Sequence, residues 1–264
     1  MSLLHQSQYL THFSTKLYLE AYYSNVESDY FRMRLLHEFF RKYSSKWNRG
    51  SARLLDFGGG PVILNYISAA PHVAEIVHAA YKDDERKEIE LWKNDAEGAY
   101  GWNPHIMHVV SELEGLKGND AWQERAALMR SKIKVVSCNI FDKHPIDPSE
   151  NPNSFSIVCT SLCLEGACET VDGFKAGIKK LVRLLRLGGY ITILFVEDQT
   201  YYYIGEEKWA SLPISLAQVK EAVEEAGCVV LISERDPMPL KHFENPTYDD
   251  AKACVFLAAY KVKE

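Results

Sequence analysis

The chain has 264 residues, is 47% hydrophobic and carries a formal net charge of −6 with a pI near 5.9. That apolar fraction is ample for a core and excludes a disordered chain, while the acidic balance offers no general attraction to nucleic acid. No apolar run approaches the roughly 18 residues of a membrane span.

The length fits one large α/β domain. The opening residues MSLLHQSQYLTHF lack the basic start and apolar core of a secretory signal. The six cysteines form no CxxC pair, so reduced thiols and a cytoplasmic location are expected. Cys159, Cys163 and Cys168 have no matching histidine spacing, so no metal site is expected.

Residues 1–47 are rich in aromatics and precede the first core strand. A short helix from Lys16 places Tyr18 and Tyr22 on one face, with Tyr23 beside them. A second helix over Asp29–Tyr43 is amphipathic through Phe31, Leu35, Phe39 and Tyr43. Two helices ahead of a doubly wound sheet are placed to cover the strand ends where ligands bind.

Next comes Arg53-Leu54-Leu55-Asp56-Phe57-Gly58-Gly59-Gly60-Pro61, read as a buried strand, a glycine turn and then a helix over Val62–Ile67 with Pro61 at its first position. Glycines permit positive φ and let a ligand lie against the backbone. The stretch therefore opens a nucleotide-binding α/β unit. No glycine follows at the third dinucleotide position, and the Lys-Ser/Thr of a P-loop is absent.

Glu75–Ala80 reads as a strand, Asp84–Asn94 as a helix, and Ile133–Ser137 as the next strand. Between them only helical pieces are expected, near His105–Leu113 and Trp122–Met129. Residues His144–Asn153 form a proline-rich loop, and Ser154–Ser161 a fourth strand. The clearest helix spans Val171–Leu187, with Gly188-Gly189 as its C-cap, followed by a strand over Tyr190–Phe195. Ser215 caps a helix running to Ala226 and Gly227. Val229–Ser233 and Ala253–Tyr260 are the last strands. The alternation gives a mostly parallel α/β sheet. With no repeat or linker, one domain is expected over 1–264, a helical lid over 1–47 and a core over 48–264.

The motif order resembles that of the nicotinamide, phenylethanolamine and indolethylamine N-methyltransferases. The likeness rests on Tyr9-Leu10-Thr11-His12-Phe13, Tyr18–Tyr23, Asp56–Pro61, Ser161–Cys168, Tyr201–Lys208 and Ser211-Leu212-Pro213. It implies a Rossmann-like class I methyltransferase fold, seven strands with one antiparallel, beneath an N-terminal helical lid. It also implies methyl transfer from S-adenosyl-L-methionine to the nitrogen of a small amine or pyridine, leaving S-adenosyl-L-homocysteine. By position, the cofactor residues would be Tyr18, Tyr23, Asp56, Gly58, Gly59, Gly60, Glu85, Asn139, Ile140, Ser161 and Cys163. Tyr22, Phe195, Glu197, Asp198, Gln199, Tyr202, Ser211 and Asp249 would face the acceptor, with Tyr22, Asp198 and Asp249 in catalytic roles. A monomer without nucleic-acid or membrane partners is expected.

Two departures shape the expectations. Ala80 stands where most class I methyltransferases place a ribose-binding carboxylate, which turns attention to Asp83, Asp84 and Glu85. Phe195 stands where the nicotinamide branch has a carboxylate, unless a two-residue shift brings Glu197 there, so an amine held by an acid is the expected acceptor, with Glu197, Asp198, Asp249 and Asp250 as candidates. The competing readings are a binding-only pseudo-enzyme, supported by Ala80, and a dinucleotide oxidoreductase, opposed by the missing glycine.

Overall fold

The computed structural model describes residues 3–118, 120–150, 153–237 and 249–263. The chain opens with a two-residue strand β1 (Leu3–Leu4), then α1 (Tyr9–His12), α2 (Thr15–Tyr23) and α3 (Tyr30–Tyr43). Ser14 caps α2 by accepting from the Leu17 N–H, satisfying one orphan donor of the first turn. Then follow β2 (Arg53–Phe57), α4 (Leu64–Ile67), β3 (Glu75–Ala80), α5 (Asp83–Lys93), α6 (Asn103–Met107), α7 (Ala121–Lys132), β4 (Ile133–Ser137) and β5 (Phe155–Ser161). The second half holds α8 (Leu164–Ala167), α9 (Val171–Leu184), β6 (Leu185–Glu197), β7 (Tyr201–Ile204), β8 (Glu207–Ala210), α10 (Leu216–Glu225), β9 (Cys228–Pro237) and β10 (Ala253–Lys261).

Among the described residues, seven strands form one sheet in the order β4-β3-β2-β5-β6-β10-β9. The pairs from β4 to β6 are parallel, and β10 runs antiparallel to both β6 and β9. Alternate residues feed two cores, as the two-residue period of a strand requires. Leu54, Ile76 and Ile157 face the layer of α3, α4 and α7, while Leu55, Val77 and Val158 face α9 and α10. The parallel strands all end at one edge, the edge where ligands of doubly wound sheets bind.

Two local expectations are corrected. After the glycine turn only Leu64–Ile67 is α-helical, so Pro61 lies in the turn rather than at the helix start. α9 stops at Leu184, where Leu185 turns extended, and Gly188-Gly189 fall inside the long strand β6. Gly189 is packed too tightly there for a side chain, with Arg186 and Ser156 carbonyls 3.0 and 3.1 Å from a Cβ position. Residues His108–Leu113 wind as a π-helix continuing α6, more regular than the sequence suggests.

A second, small sheet is absent from the sequence reading. The hairpin β7–β8 pairs antiparallel, and β1 adds to its edge through Leu3↔Lys208 and Leu4↔Trp209. Leu4, Phe13, Ile204 and Trp209 make a separate apolar cluster, flanked by Tyr9, Tyr18, Tyr22 and Tyr202. The N-terminal segment is thus a cover with its own core, laid over the strand ends.

Candidate active site

The turn after β2 has Gly58 at φ +67° and Gly60 at φ +58°, a region that side chains rarely adopt. A Cβ on Gly58 would run into the Cys163 side chain, and one on Gly60 would lie 3.6 Å from Glu85 Oε1. Gly59 is not left-handed; what forbids a side chain there is the Asp56 carboxylate and the His78 ring, whose Cε1 would be 2.8 Å away. Two other left-handed residues follow directly from strands, Leu162 after β5 (φ +51°) and Asp198 after β6 (φ +54°). Backbone strain of this kind concentrates at functional sites.

Beneath the turn lies a buried polar chain. Arg32 of α3 donates to Asn65 Oδ1 at 2.8 and 3.3 Å, Ser161 Oγ donates to the same oxygen at 2.8 Å, and Asn65 Nδ2 donates to Asp56 Oδ1 at 2.6 Å. Asp56 and His78 are fully buried cross-strand neighbours, with Nδ1 and Oδ2 3.2 Å apart. Asp56, expected to touch the cofactor, accepts from Asn65 through Oδ1, and its Oδ2, buried beneath Gly59 and facing the His78 ring, has no hydrogen-bond partner among the described residues. Ser161 is likewise engaged with Asn65.

Over the turn, the cover brings hydroxyls. Tyr9 donates to Glu85 Oε1 at 2.5 Å, and the Lys82 N–H donates to Glu85 Oε2 at 3.0 Å. Lys82 Nζ donates to the Phe13 carbonyl, tying α5 to the cover. Glu85 is 2% exposed, and burial raises its pKa above the ordinary carboxylate value. Of the three acids after β3, it alone reaches the turn. Asp83 is exposed and pairs with Arg86, while Asp84 is exposed, approaches Lys87 at 3.4 Å and lines an outer cleft of about 470 Å³ with His12–Lys16 and Glu88. Tyr18 and Tyr23 share a 3.2 Å hydroxyl contact. Burial raises the pKa of Tyr18, Tyr23, Tyr202 and Cys163 alike, so these groups stay neutral.

At the other end, Glu165 of α8 is 4% exposed, and burial lifts its pKa to about 7. Its Oε1 accepts from the Val196 N–H at 3.3 Å, and its carbonyl accepts from the Leu212 N–H at 2.8 Å. The carboxylate is close enough to Tyr202 and Cys163 to raise the pKa of both by charge repulsion. Tyr202 OH lies 3.7 Å from where a Gly166 Cβ would sit. Ser211 is buried, and its Oγ has no hydrogen-bond partner among the described residues. Tyr22, facing Tyr202, donates its hydroxyl to the Tyr203 carbonyl at 2.8 Å and so straps cover to hairpin.

The remaining expected residues fall elsewhere. Phe195 is wholly buried in the core against the α9–α10 layer, because its β6 register turns it to that face. Glu197 accepts from Arg235 at 2.6 Å and from the Leu216 N–H at 3.2 Å. Asp198 is part-exposed and pairs with Lys252 at 2.9 Å. Asp250 binds the Thr200 N–H at 2.7 Å, which makes it a loop staple. Gln199 is buried. Asp249 bridges the Tyr202 backbone and accepts from the Ala251 N–H at 3.0 Å. Asn139 caps its own turn by accepting from the Phe141 N–H at 3.0 Å, and Ile140 packs 3.2 Å from a Gly177 Cβ position. Of the acids expected at the acceptor, Asp249 alone joins Tyr202.

Glu165 and His78 were missed. Each was visible as a polar residue in an apolar block, Leu162-Cys163-Leu164-Glu165 and Ile76-Val77-His78-Ala79. Buried titratable groups of this sort mark functional sites more often than chance. Among the described residues no group of three or more His, Cys, Asp or Glu could hold a metal ion.

Comparison with known proteins gives a family match over residues 1–262, to the NNMT/PNMT/TEMT family. Human nicotinamide N-methyltransferase is 32% identical over 230 residues, covering 84% of this chain and 84% of that protein. Bovine (Bos taurus) phenylethanolamine N-methyltransferase is 28% identical over 210 residues, covering 79% and 72%. Among solved structures, the magnesium protoporphyrin IX methyltransferase of Synechocystis PCC 6803 superposes with a TM-score of 0.54 at 10% identity, covering 98% of each chain.

Proposed function

The chain belongs to the NNMT/PNMT/TEMT family, and we infer from this premise that it is an S-adenosylmethionine-dependent N-methyltransferase whose acceptor is a small amine held by Glu165. The residues fit the cofactor: a glycine turn left-handed at Gly58 and Gly60, with no room for a Cβ at Gly58 or Gly59, a buried Glu85 beside it, and neutral tyrosine faces above. When bound, the cofactor supplies an electrophilic methyl on a sulfonium sulfur. Glu85 would accept from the ribose hydroxyls, the role that Ala80 cannot fill, with Asn139 and Ile140 toward the adenine. Tyr18, Tyr23 and Cys163 would line the methionine end, their uncharged faces suited to a cation.

The observation that carries the acceptor reading is the buried Glu165 with its pKa near 7 beneath Tyr202. A carboxylate there attracts an ammonium group, and once the amine sheds its proton the same oxygen can receive it, directly or through water. No covalent intermediate is required of the protein. Orientation can supply up to about 7–11 kcal/mol, and Tyr22, Tyr202, Ser211 and Asp249 would provide it. Ser211 Oγ is a polar atom awaiting a partner.

Initial rates with labelled S-adenosylmethionine test the reading, using a phenylethylamine, a tryptamine and nicotinamide between pH 6 and 10. Amine turnover is expected to climb through pH 7 as Glu165 ionises, and to climb further as the bound amine deprotonates. Nicotinamide as the best acceptor at every pH overturns the amine assignment.

A further inference from the structure

We propose that His78 is a positioning residue for the cofactor turn, holding the Gly60 carbonyl through Nε2 while its other edge packs against Asp56. The inference rests on the cofactor reading above and concerns residues under the ligand rather than in contact with it.

Three consecutive glycines lose more conformational freedom on ordering than any other tripeptide, so a bare turn would charge that entropy against ligand binding. Something must hold it beforehand. The Gly60 carbonyl lies 2.8 Å from His78 Nε2. A carbonyl only accepts, so Nε2 carries a hydrogen. On the far side of the ring, Nδ1 stands 3.2 Å from Asp56 Oδ2. The two atoms face each other without hydrogen-bond geometry, and neither has a hydrogen-bond partner among the described residues, so the only hydrogen bond of the imidazole is the one to Gly60.

The ring is also fixed in place. Asp56 is anchored through Asn65 to Arg32 and Ser161. Tyr66 packs edge-on at 6.0 Å from the imidazole, and Gly59 rests directly on the Asp56–His78 pair. The left-handed Gly60 peptide is therefore pulled toward the sheet by a side chain with no exposure. The strand that ends in Ala80, without the usual carboxylate, contributes to the cofactor site from one turn deeper, through His78.

The test uses the full chain and S-adenosylhomocysteine as probe, with calorimetric Kd values and melting curves for wild type, His78→Leu and His78→Gln. His78→Leu is expected to weaken binding roughly tenfold. His78→Gln, which keeps an N–H for the Gly60 carbonyl, should recover most of the loss. Wild-type affinity in a folded His78→Leu, or a Gln variant no better than Leu, overturns the proposal. If the Leu variant does not fold, His78→Asn, whose amide is too short to reach the Gly60 carbonyl, takes its place, and wild-type affinity in that variant also overturns the proposal. A wild-type protein that binds no S-adenosylhomocysteine sinks the cofactor reading itself, a separate result.

Discussion

The proposed site has two ends built on different terms. At the edge of β2 it is made of main chain: Gly58–Gly60 present backbone, and the surrounding side chains only hold that backbone in place. At the edge of β5 and β6 the proposed acceptor end is made of side chains, Glu165, Tyr202, Ser211 and Asp249, which come from four segments. Backbone recognition suits a constant ligand, since main-chain groups cannot be exchanged by mutation. Side-chain recognition suits a variable one. Relatives named for nicotinamide and for phenylethanolamine methylation differ in the acceptor they are named for.

Breaking the first end should be the more damaging. Gly58→Val would force a branched side chain into a left-handed position already pressed by Cys163. S-adenosylhomocysteine binding should become undetectable by calorimetry, at least a hundredfold weaker. Measurable affinity in a folded variant would mean the turn is not the cradle.

Glu165→Gln separates the ends. General acid–base contributions run about 10²–10⁴, so amine turnover at pH 8 should drop on the order of a hundredfold and lose its rise near pH 7, with cofactor Kd within about threefold. An equal loss in Kd and turnover would show that the two ends are not independent.

The same variant bears on stability. Burial raises the Glu165 pKa from 4.5 to about 7, so the folded state holds the proton more tightly than the unfolded chain. Stability from this group is full at low pH and falls as pH rises from about 4.5 through 7. By pH 8 the penalty approaches, at most, about 3 kcal/mol. Glu165→Gln should melt higher than wild type at pH 8 and lose that advantage at pH 5. A constant offset across pH would argue against the buried charge.

Smaller effects sharpen the boundary. Glu85→Gln removes a charge-assisted contact worth about 1.5–3 kcal/mol, so cofactor affinity should fall tenfold or more with the acceptor's KM unchanged. Asp198→Asn, which loses only a part-exposed pair with Lys252, should alter amine turnover less than twofold. A larger loss would return Asp198 to the acceptor site.

The sequence made the first end visible because local rules suffice there. Glycines, a buried strand and an acidic run after β3 lie within one stretch, and the bounds of β3 and β4 follow from apolar pattern alone. The second end depends on register and long-range contact. Phe195 went to the core because a strand turns alternate residues to opposite faces, and which face it takes is set by pairing with β5 and β10. Glu197, Asp198 and Asp250 are acids whose partners, Arg235, Lys252 and Thr200, lie 38 to 54 residues away. The hairpin β7–β8 was legible in principle: a β-prone Tyr-Tyr-Tyr-Ile run meets Gly205 at φ +60°, a turn signal read only as a family motif.

The cover is stitched to both ends at once. Leu3 and Leu4 pair with the hairpin, Tyr22 donates to Tyr203, Tyr9 reaches Glu85, and Lys82 reaches back to Phe13. On the proposed placement of the two ligands, a panel fastened in this way lifts over both ends together. Methylated product and spent cofactor would then leave through one door, and the frequency with which it opens would set a ceiling on turnover however fast the methyl moves.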